Sequence, residues 1–147
     1  MKRPVLALLI ASVVIALDQA TKYLIVKYLG SYDSIEIFSF LHIVSVRNTG
    51  SAFGMFRNLG SNFFIVVSAA AIIFILFLLI KNTYNFLGLS LILGGAVGNL
   101  IDRLLLGKVV DFIDFSIGSC HWPSFNVADS ALTVGIFIIF LTSLLKK

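Results

Sequence analysis

The pattern of apolar and polar positions divides the chain into four long, mostly apolar segments joined by polar connections. A helix rises about 1.5 Å per residue, so about 20 apolar residues cross a hydrocarbon core of roughly 30 Å. The clearest segment, 63–80, contains 18 residues and no charge. The pattern predicts an α-helical integral membrane protein with four transmembrane helices. Their predicted bounds are about 4–28, 63–80, 86–106 and 125–145.

The two longer connections, about 30–62 and 107–124, predict a small β-containing region on one side of the membrane. Residues 35–46 and 109–115 are rich in β-branched and aromatic side chains, which favours strands. Turn-forming residues follow at 47–51. There is no repeat or linker, so we interpret residues 1–147 as one domain. The apolar residues Phe53–Phe56 suit an interfacial anchor or a mobile flap, and we favour the anchor.

Composition supports the membrane class and excludes several others. The chain is 59% hydrophobic and 12% charged, whereas soluble domains are about one-quarter charged. The net charge of +4 lies on no basic face, so nucleic acid is not a predicted partner. One cysteine and two histidines make a disulfide framework or a zinc site a poor interpretation. We predict no metal, no cofactor and no catalytic role for Cys120 or His121.

The charges near the segment ends predict the orientation. A basic start before a short apolar run also fits a cleavable signal peptide, but no small-x-small site follows and apolar character resumes after Lys22. We therefore favour an uncleaved first span. Lysine and arginine are densest at the two termini and in the short connection 81–85, which carry no acid. This density predicts cytoplasmic termini and extracytoplasmic longer loops.

Four carboxylates from separate segments are predicted at one membrane level. Asp18 lies about 21 Å along the first helix, and Asp102 lies about 24 Å along the third. Asp129 lies about 6 Å below the start of the fourth helix. Asp111 follows the outer end of the third helix. Carboxylates in the outer leaflet are costly unless a reaction, an ion or a partner uses them, so this convergence predicts a site near the outer face.

Each helical polar residue also has a structural interpretation. Asp18 and Lys22 stand at i and i+4, and we favour a simple ion pair for them. Asn99 shares a helix face with Asp102 and Arg103. For the last two we favour a polar clasp, in which Arg103 neutralises an acid from another helix. For Asn99 a clasp and a direct role in the site both stand. The preceding Gly94-x-x-x-Gly98 pattern predicts close helix approach.

The remaining candidates lie at loops and helix ends. Asn126 and Asp129 fit an N-cap with its N3 acid, which does not exclude chemistry. Asn48 and Gly50 fit either a turn or a clamp on the substrate backbone. Asp111 and Asp114 lie on opposite faces of a predicted strand, so one acid can face the site while the other faces away. Trp122 is interpreted as an interfacial anchor.

Five motifs in order resemble lipoprotein signal peptidase, the bacterial signal peptidase II family. They are DQATK at 18–22, VRNTGSAFG at 46–54, GGAVGNLIDR at 94–103, VVDF at 109–112 and FNVADSA at 125–131. The resemblance covers essentially the whole chain. It implies an inner-membrane aspartic endopeptidase that cuts prolipoproteins just before a diacylglyceryl-modified cysteine. It implies Asp111 and Asp129 as the dyad. It also implies that the site is lined or supported by Asn48, Asn99, Arg103, Asn126, Asp18, Lys22 and Asp102.

The implied chemistry suits the residues. Two close carboxylates do not both ionise easily, so they share a proton and divide the acid and base roles. Lipid-modified prolipoprotein and membrane phospholipid are the predicted partners of a monomer. An ion-coupled transporter would need acids across the membrane, and a serine protease would need a serine facing a histidine. A purely structural protein would not explain five polar motifs at one depth.

Overall fold

The computed structural model describes residues 3–31, 33–50 and 60–145, and in them it contains four long helices and one antiparallel sheet. All four helices are long and apolar enough to cross a membrane, which confirms the predicted fold class. The elements in chain order are α1 (Arg3–Tyr28), β1 (Ser34–Phe38), β2 (Leu41–Asn48), α2 (Gly60–Lys81), α3 (Phe86–Leu106), β3 (Val109–Ile117), β4 (Cys120–His121) and α4 (Val127–Leu144).

Helix α3 lies at the centre of the bundle and contacts the three other helices. Its glycines allow this packing. A Cβ added at Gly94 would lie 2.7 Å from the Cβ of Val14 in α1, and one added at Gly95 would meet the backbone oxygen of Ala128 in α4. The close approach predicted from the glycine pattern is therefore confirmed.

The helices bury small and polar side chains and expose large apolar ones. Leu8, Ile73 and Phe137 are more than half exposed, whereas Ala7 and Ala11 are buried. A soluble protein has the opposite arrangement, because it must remove apolar surface from water. This surface suits contact with lipid acyl chains. The small set of large buried side chains centres on Ile75, Leu89 and Leu93.

The sheet has the strand order β1-β2-β3-β4, and every neighbouring pair is antiparallel. Strand β2 pairs with β3 so that Val46 stands opposite Asp111 and Asn48 stands opposite Val109. The backbone of Phe125 then pairs with Ile113 and leads the chain into α4. The sheet thus holds β3 beside the start of α4.

Several boundaries differ from the prediction. Helix α2 runs from Gly60 to Lys81, three residues earlier and one later than the predicted 63–80. Asn48 was expected in a turn, but it is the last residue of β2 because its backbone pairs with β3. Helix α4 begins at Val127 and not at Phe125, because the N–H and C=O of Phe125 bond the backbone of Ile113. Cys120 and His121 form the short strand β4. The predicted anchor at 53–56 lies outside the described residues.

Two asparagines cap helices in different surroundings. Asn85 accepts hydrogen bonds from the backbone N–H groups of Leu87 and Gly88 at the exposed start of α3. Asn126 is fully buried at the start of α4, where it forms a capping box with Asp129. The sequence-level interpretation of Asn126 as an N-cap is confirmed.

Candidate active site

Asn126 connects the two aspartates that the sequence singled out. Its side-chain oxygen accepts a hydrogen bond from the backbone N–H of Asp129 at 2.9 Å. Its amide then donates to Asp111 Oδ1 at 2.8 Å. The backbone N–H of Asn126 also donates to Asp129 Oδ2 at 3.3 Å. One capping residue therefore fixes the positions of both carboxylates.

Asp111 lies in β3 and is only 2% exposed. Besides Asn126, it accepts a 3.0 Å hydrogen bond from the side-chain amide of Asn48 at the end of β2. Asn48 is itself fixed, because its side-chain oxygen accepts the backbone N–H of Gly50 at 2.9 Å. Both oxygens of Asp111 thus receive neutral amide donors.

Asp129 lies in the first turn of α4 and is partly buried. The Asn99 amide from α3 donates to its Oδ1 at 2.7 Å. Its other oxygen faces the backbone N–H of Asn126. A helix N-terminus carries a partial positive charge, so this position favours a carboxylate.

Behind Asn99 lies a buried ammonium group. Lys22 is 3% exposed, and its Nζ donates to Asn99 Oδ1 at 3.0 Å. The same nitrogen forms ion pairs with Asp18 at 2.8 Å and Asp102 at 3.1 Å. The predicted i,i+4 pair of Asp18 and Lys22 is confirmed, but it also connects α1 to α3.

The two acids of this cluster hold backbone groups as well. Asp18 accepts the N–H of Ala128 in the first turn of α4 at 2.9 Å, and Asp102 accepts the N–H of Val110 at 2.9 Å. Gln19 bridges the two acids by donating to both. Gln19 was not among the predicted site residues. Its only sequence signal was its place inside the first motif.

Within residues 3–31, 33–50 and 60–145, no acid lies at ion-pair distance from Arg103, so the ion pair that the sequence interpretation gave it is not formed there. Among the described residues, the ion pair between helices belongs to Lys22. Arg103 donates to the carbonyl oxygens of Gly50 at 3.4 Å and Asn99 at 3.5 Å. Its guanidinium also stacks 5.3 Å from the ring centre of Phe64 in α2. Arg103 therefore joins α2, α3 and the end of β2.

All ten residues predicted for the site belong to one connected network of hydrogen bonds and ion pairs. They are Asp18, Lys22, Asn48, Gly50, Asn99, Asp102, Arg103, Asp111, Asn126 and Asp129. The structure thus brings them together, while their catalytic and binding roles stay predictions.

Burial raises the pKa of Asp111 from 3.8 to about 7, and the charge of Asp129 adds to this effect. The amide donors Asn48 and Asn126 oppose it by favouring the ionised form, and Lys22 opposes it more weakly. A carboxyl group that titrates near neutral pH can give and take a proton under physiological conditions.

The two aspartates face one cavity of about 540 Å³. Asn48, Asn99 and Arg103 line it on the polar side. Its apolar wall includes Trp122, Pro123, Phe125, Leu132 and Val134. A cavity with apolar walls and a few convergent polar groups is the usual form of a small-molecule or peptide site.

Asp114 and His121 form a second polar contact away from the cavity. His121 Nδ1 lies 2.8 Å from Asp114 Oδ2, so the two side chains pair across the β3–β4 hairpin. The hairpin of β3 and β4 creates this contact, and sequence spacing alone did not reveal it. In the part of the chain that is described, no group of three histidine, cysteine or acidic side chains is arranged to hold a metal ion.

Fold and site together define an integral membrane protein with a pair of carboxylates where its helices meet a small sheet. Comparisons with known proteins make this class specific. Residues 10–145 match the family described as Signal peptidase (SPase) II. The chain therefore belongs to the signal peptidase II family, and it is a membrane peptidase.

Several relatives agree with this assignment. A lipoprotein signal peptidase of Thermodesulfovibrio yellowstonii is 47% identical over 91% of this chain and 90% of its own. A lipoprotein signal peptidase of Brevibacillus brevis is 50% identical over 90% of this chain and 91% of its own. A bacterial membrane enzyme solved by the in meso method at 2.3 Å resolution is 40% identical, with a TM-score of 0.86 over 94% of this chain and 87% of that one.

Proposed function

We propose that residues 1–147 form a single aspartic endopeptidase domain that removes signal peptides from diacylglyceryl-modified bacterial prolipoproteins. Cleavage occurs just before the lipidated cysteine. The family and the names of the relatives support the substrate class. The observation that carries the aspartic mechanism is the Asn126 bridge, which holds Asp111 and Asp129 at one cavity.

The reaction is general acid–base hydrolysis. One carboxylate takes a proton from water as the water oxygen attacks the scissile carbonyl carbon, and the other carboxyl gives its proton to the carbonyl oxygen. As the tetrahedral intermediate collapses, the C–N bond breaks and the leaving amine receives the proton that the base took from water. The other carboxylate regains its proton from a hydroxyl of the intermediate as the C=O bond re-forms. The raised pKa of Asp111 supports its holding a proton near neutral pH.

The polar residues around the dyad suit a peptide substrate. Asn48 and the Arg103 guanidinium line the cavity and can hold the substrate backbone, while the Gly50 carbonyl fixes Arg103. The cavity wall beside Leu132 and Val134 belongs to α4, whose exposed apolar surface would face lipid. Acyl chains can therefore enter from the bilayer, where membrane phospholipid surrounds a monomeric enzyme.

The proposed orientation places both termini in the cytoplasm and the site near the outer face of the bacterial cytoplasmic membrane. The density of basic residues at the termini and at Lys81 supports it. The sheet packs against α1 and α3, the helices that carry Asp18 and Asp102, so the site lies on the same side as the two longer loops.

The test replaces Asp111 and Asp129 singly with Asn and follows cleavage of a diacylglyceryl-modified precursor in purified membranes. Each variant should lose about 10²–10⁴-fold in kcat. Asp114→Asn is the matched control, since Asp114 lies in the same strand but bonds His121 away from the cavity. Wild-type cleavage by either dyad variant would refute the aspartic mechanism.

Two further arms test the substrate and the chemistry. A precursor that never received its lipid should not be cleaved, and its cleavage would contradict the substrate assignment. Serine-directed reagents and metal chelators should leave activity unchanged. Inhibition by a chelator, reversed by added metal, would exclude a mechanism based on two carboxylates alone.

A further inference from the structure

The three asparagines around the dyad have fixed amide orientations. An ammonium group only donates hydrogen bonds, so Lys22 requires the oxygen of Asn99 to face it. The NH₂ group of Asn99 must then face Asp129. In the same way, backbone N–H groups fix the oxygens of Asn48 and Asn126, whose NH₂ groups face Asp111.

The hydrogen-bond donors to the two aspartates differ in whether they also contact a positively charged group. Asp129 receives one donor from a helix N-terminus and one from Asn99, whose amide is polarised by the Lys22 ammonium. Asp111 receives the amides of Asn48 and Asn126, and the oxygens of these amides accept the backbone N–H groups of Gly50 and Asp129. The Arg103 guanidinium lines the same cavity as both aspartates.

The other charged groups nearby do not cancel this difference. Asp18 and Asp102 partly neutralise Lys22, but they also accept the backbone N–H groups of Ala128 and Val110. The Lys22 ammonium is the charged group that donates to the side-chain oxygen of Asn99. From β3, Asp114 bonds His121 and not the dyad.

Resting on the proposed aspartic mechanism, we propose that Asp129 is the ionised base of the dyad, that Asp111 is its protonated acid, and that Lys22 fixes this assignment through Asn99. Lys22 is then a positioning residue, because it acts on Asp129 through another side chain. Asp129 takes the proton from water, and Asp111 donates its proton to the carbonyl oxygen.

The test measures the pH dependence of kcat/KM with a diacylglyceryl-modified precursor peptide and the full-length enzyme in detergent. The acid limb of this profile reports ionisation of the base, and the alkaline limb reports loss of the proton from the acid. Asn99→Ala removes a donor from Asp129, so the acid limb should move up by about 1–2 pH units while the alkaline limb stays.

Asn48→Ala is the matched opposite variant. It removes a neutral donor from Asp111, so the alkaline limb should move up while the acid limb stays. An exchange of these two effects would reverse the assignment and overturn the proposal. A lower rate with neither limb moved would also overturn it, since a merely structural role predicts that result.

Lys22 is tested in the same assay. Lys22→Gln should move the acid limb in the same direction as Asn99→Ala, and the double variant should move it no further. Lys22→Arg should restore the wild-type limb. Additive shifts would refute action through Asn99. If Lys22→Gln does not fold, because Asp18 and Asp102 lose their partner, the two asparagine variants still decide the question. Activity of Asp129→Asn would instead refute the mechanism itself.

Discussion

Replacing Asp111 with Asn should stabilise the fold at neutral and alkaline pH while it removes activity. The side chain is 2% exposed, and burial together with the charge of Asp129 raises its pKa from 3.8 to about 7. Above pH 7 the native protein therefore holds a buried charge beside a second carboxylate. Asn is nearly the same size and carries no charge.

The size of this stabilisation and its pH window follow from the pKa of Asp111. Between about pH 3.8 and 7 the folded state binds more protons at Asp111 than the unfolded chain does, so the free energy of unfolding falls as pH rises. About three pH units at ~1.4 kcal/mol each give an upper bound of ~4 kcal/mol. Asn offers one acceptor fewer, which leaves the amide of Asn48 or Asn126 unpaired at a cost of ~1–3 kcal/mol. The net gain above pH 7 is then ~1–3 kcal/mol.

Thermal unfolding followed by circular dichroism at 222 nm, from pH 4.5 to 8.5 in one detergent, measures this gain. The Tm difference between Asp111→Asn and wild type should rise up to pH 7 and then stay level, at roughly 2–4 °C per kcal/mol. Asp33→Asn, at an exposed site, should show no such rise. A difference that is constant or falls with pH would refute the reasoning.

Two paired substitutions test the packing of the site by thermal unfolding and precursor cleavage. Asn126→Ala should lower the free energy of unfolding by ~2–4 kcal/mol and remove most of the activity, because it deletes a helix cap and a donor to Asp111. Asn85→Ala deletes only a helix cap, so it should lower the free energy of unfolding by ~1 kcal/mol and preserve activity. Equal effects on activity would contradict the role of Asn126. Gly98→Ala would place a Cβ 2.6 Å from Asp18 Oδ2 and should cost ~1–3 kcal/mol and lower kcat. Gly118→Ala is the control, because its Cβ would meet open space and the positive φ alone should lower the free energy of unfolding by only ~1 kcal/mol. If the two glycine variants lost comparable activity, the clash with Asp18 would be excluded as the cause.

The helices were predictable because lipid imposes a simple requirement on sequence. A segment that crosses the hydrocarbon core must be long and apolar, and the segment 86–106 coincides with the bounds of α3. The start of α4 was not predictable in the same way. Phe125 is apolar and suits a helix, but its backbone is used by β3, which is a contact across the fold.

The partners of the charged residues could not be predicted from the sequence either, because they too depend on contacts across the fold. The i,i+4 rule indicated Asp18 for Lys22, but the second acid, Asp102, comes within reach only because Gly98 lets α1 pack closely against α3. Asp102 and Arg103 are neighbours in sequence, yet successive helical residues point about 100° apart. Only Asp102 therefore faces Lys22, while Arg103 faces Gly50 and the cavity.

The hydrogen bond from the Ala128 N–H to Asp18 joins residues 110 positions apart. Asp129, one residue further on, lies on the last helix of the chain. During synthesis, α1, α2 and α3 can insert while the second carboxylate is still absent. On the proposed aspartic mechanism, a growing chain therefore holds no complete catalytic pair until α4 has been made. Activity would then begin only when α4 has entered the bilayer and docked against α1 and α3.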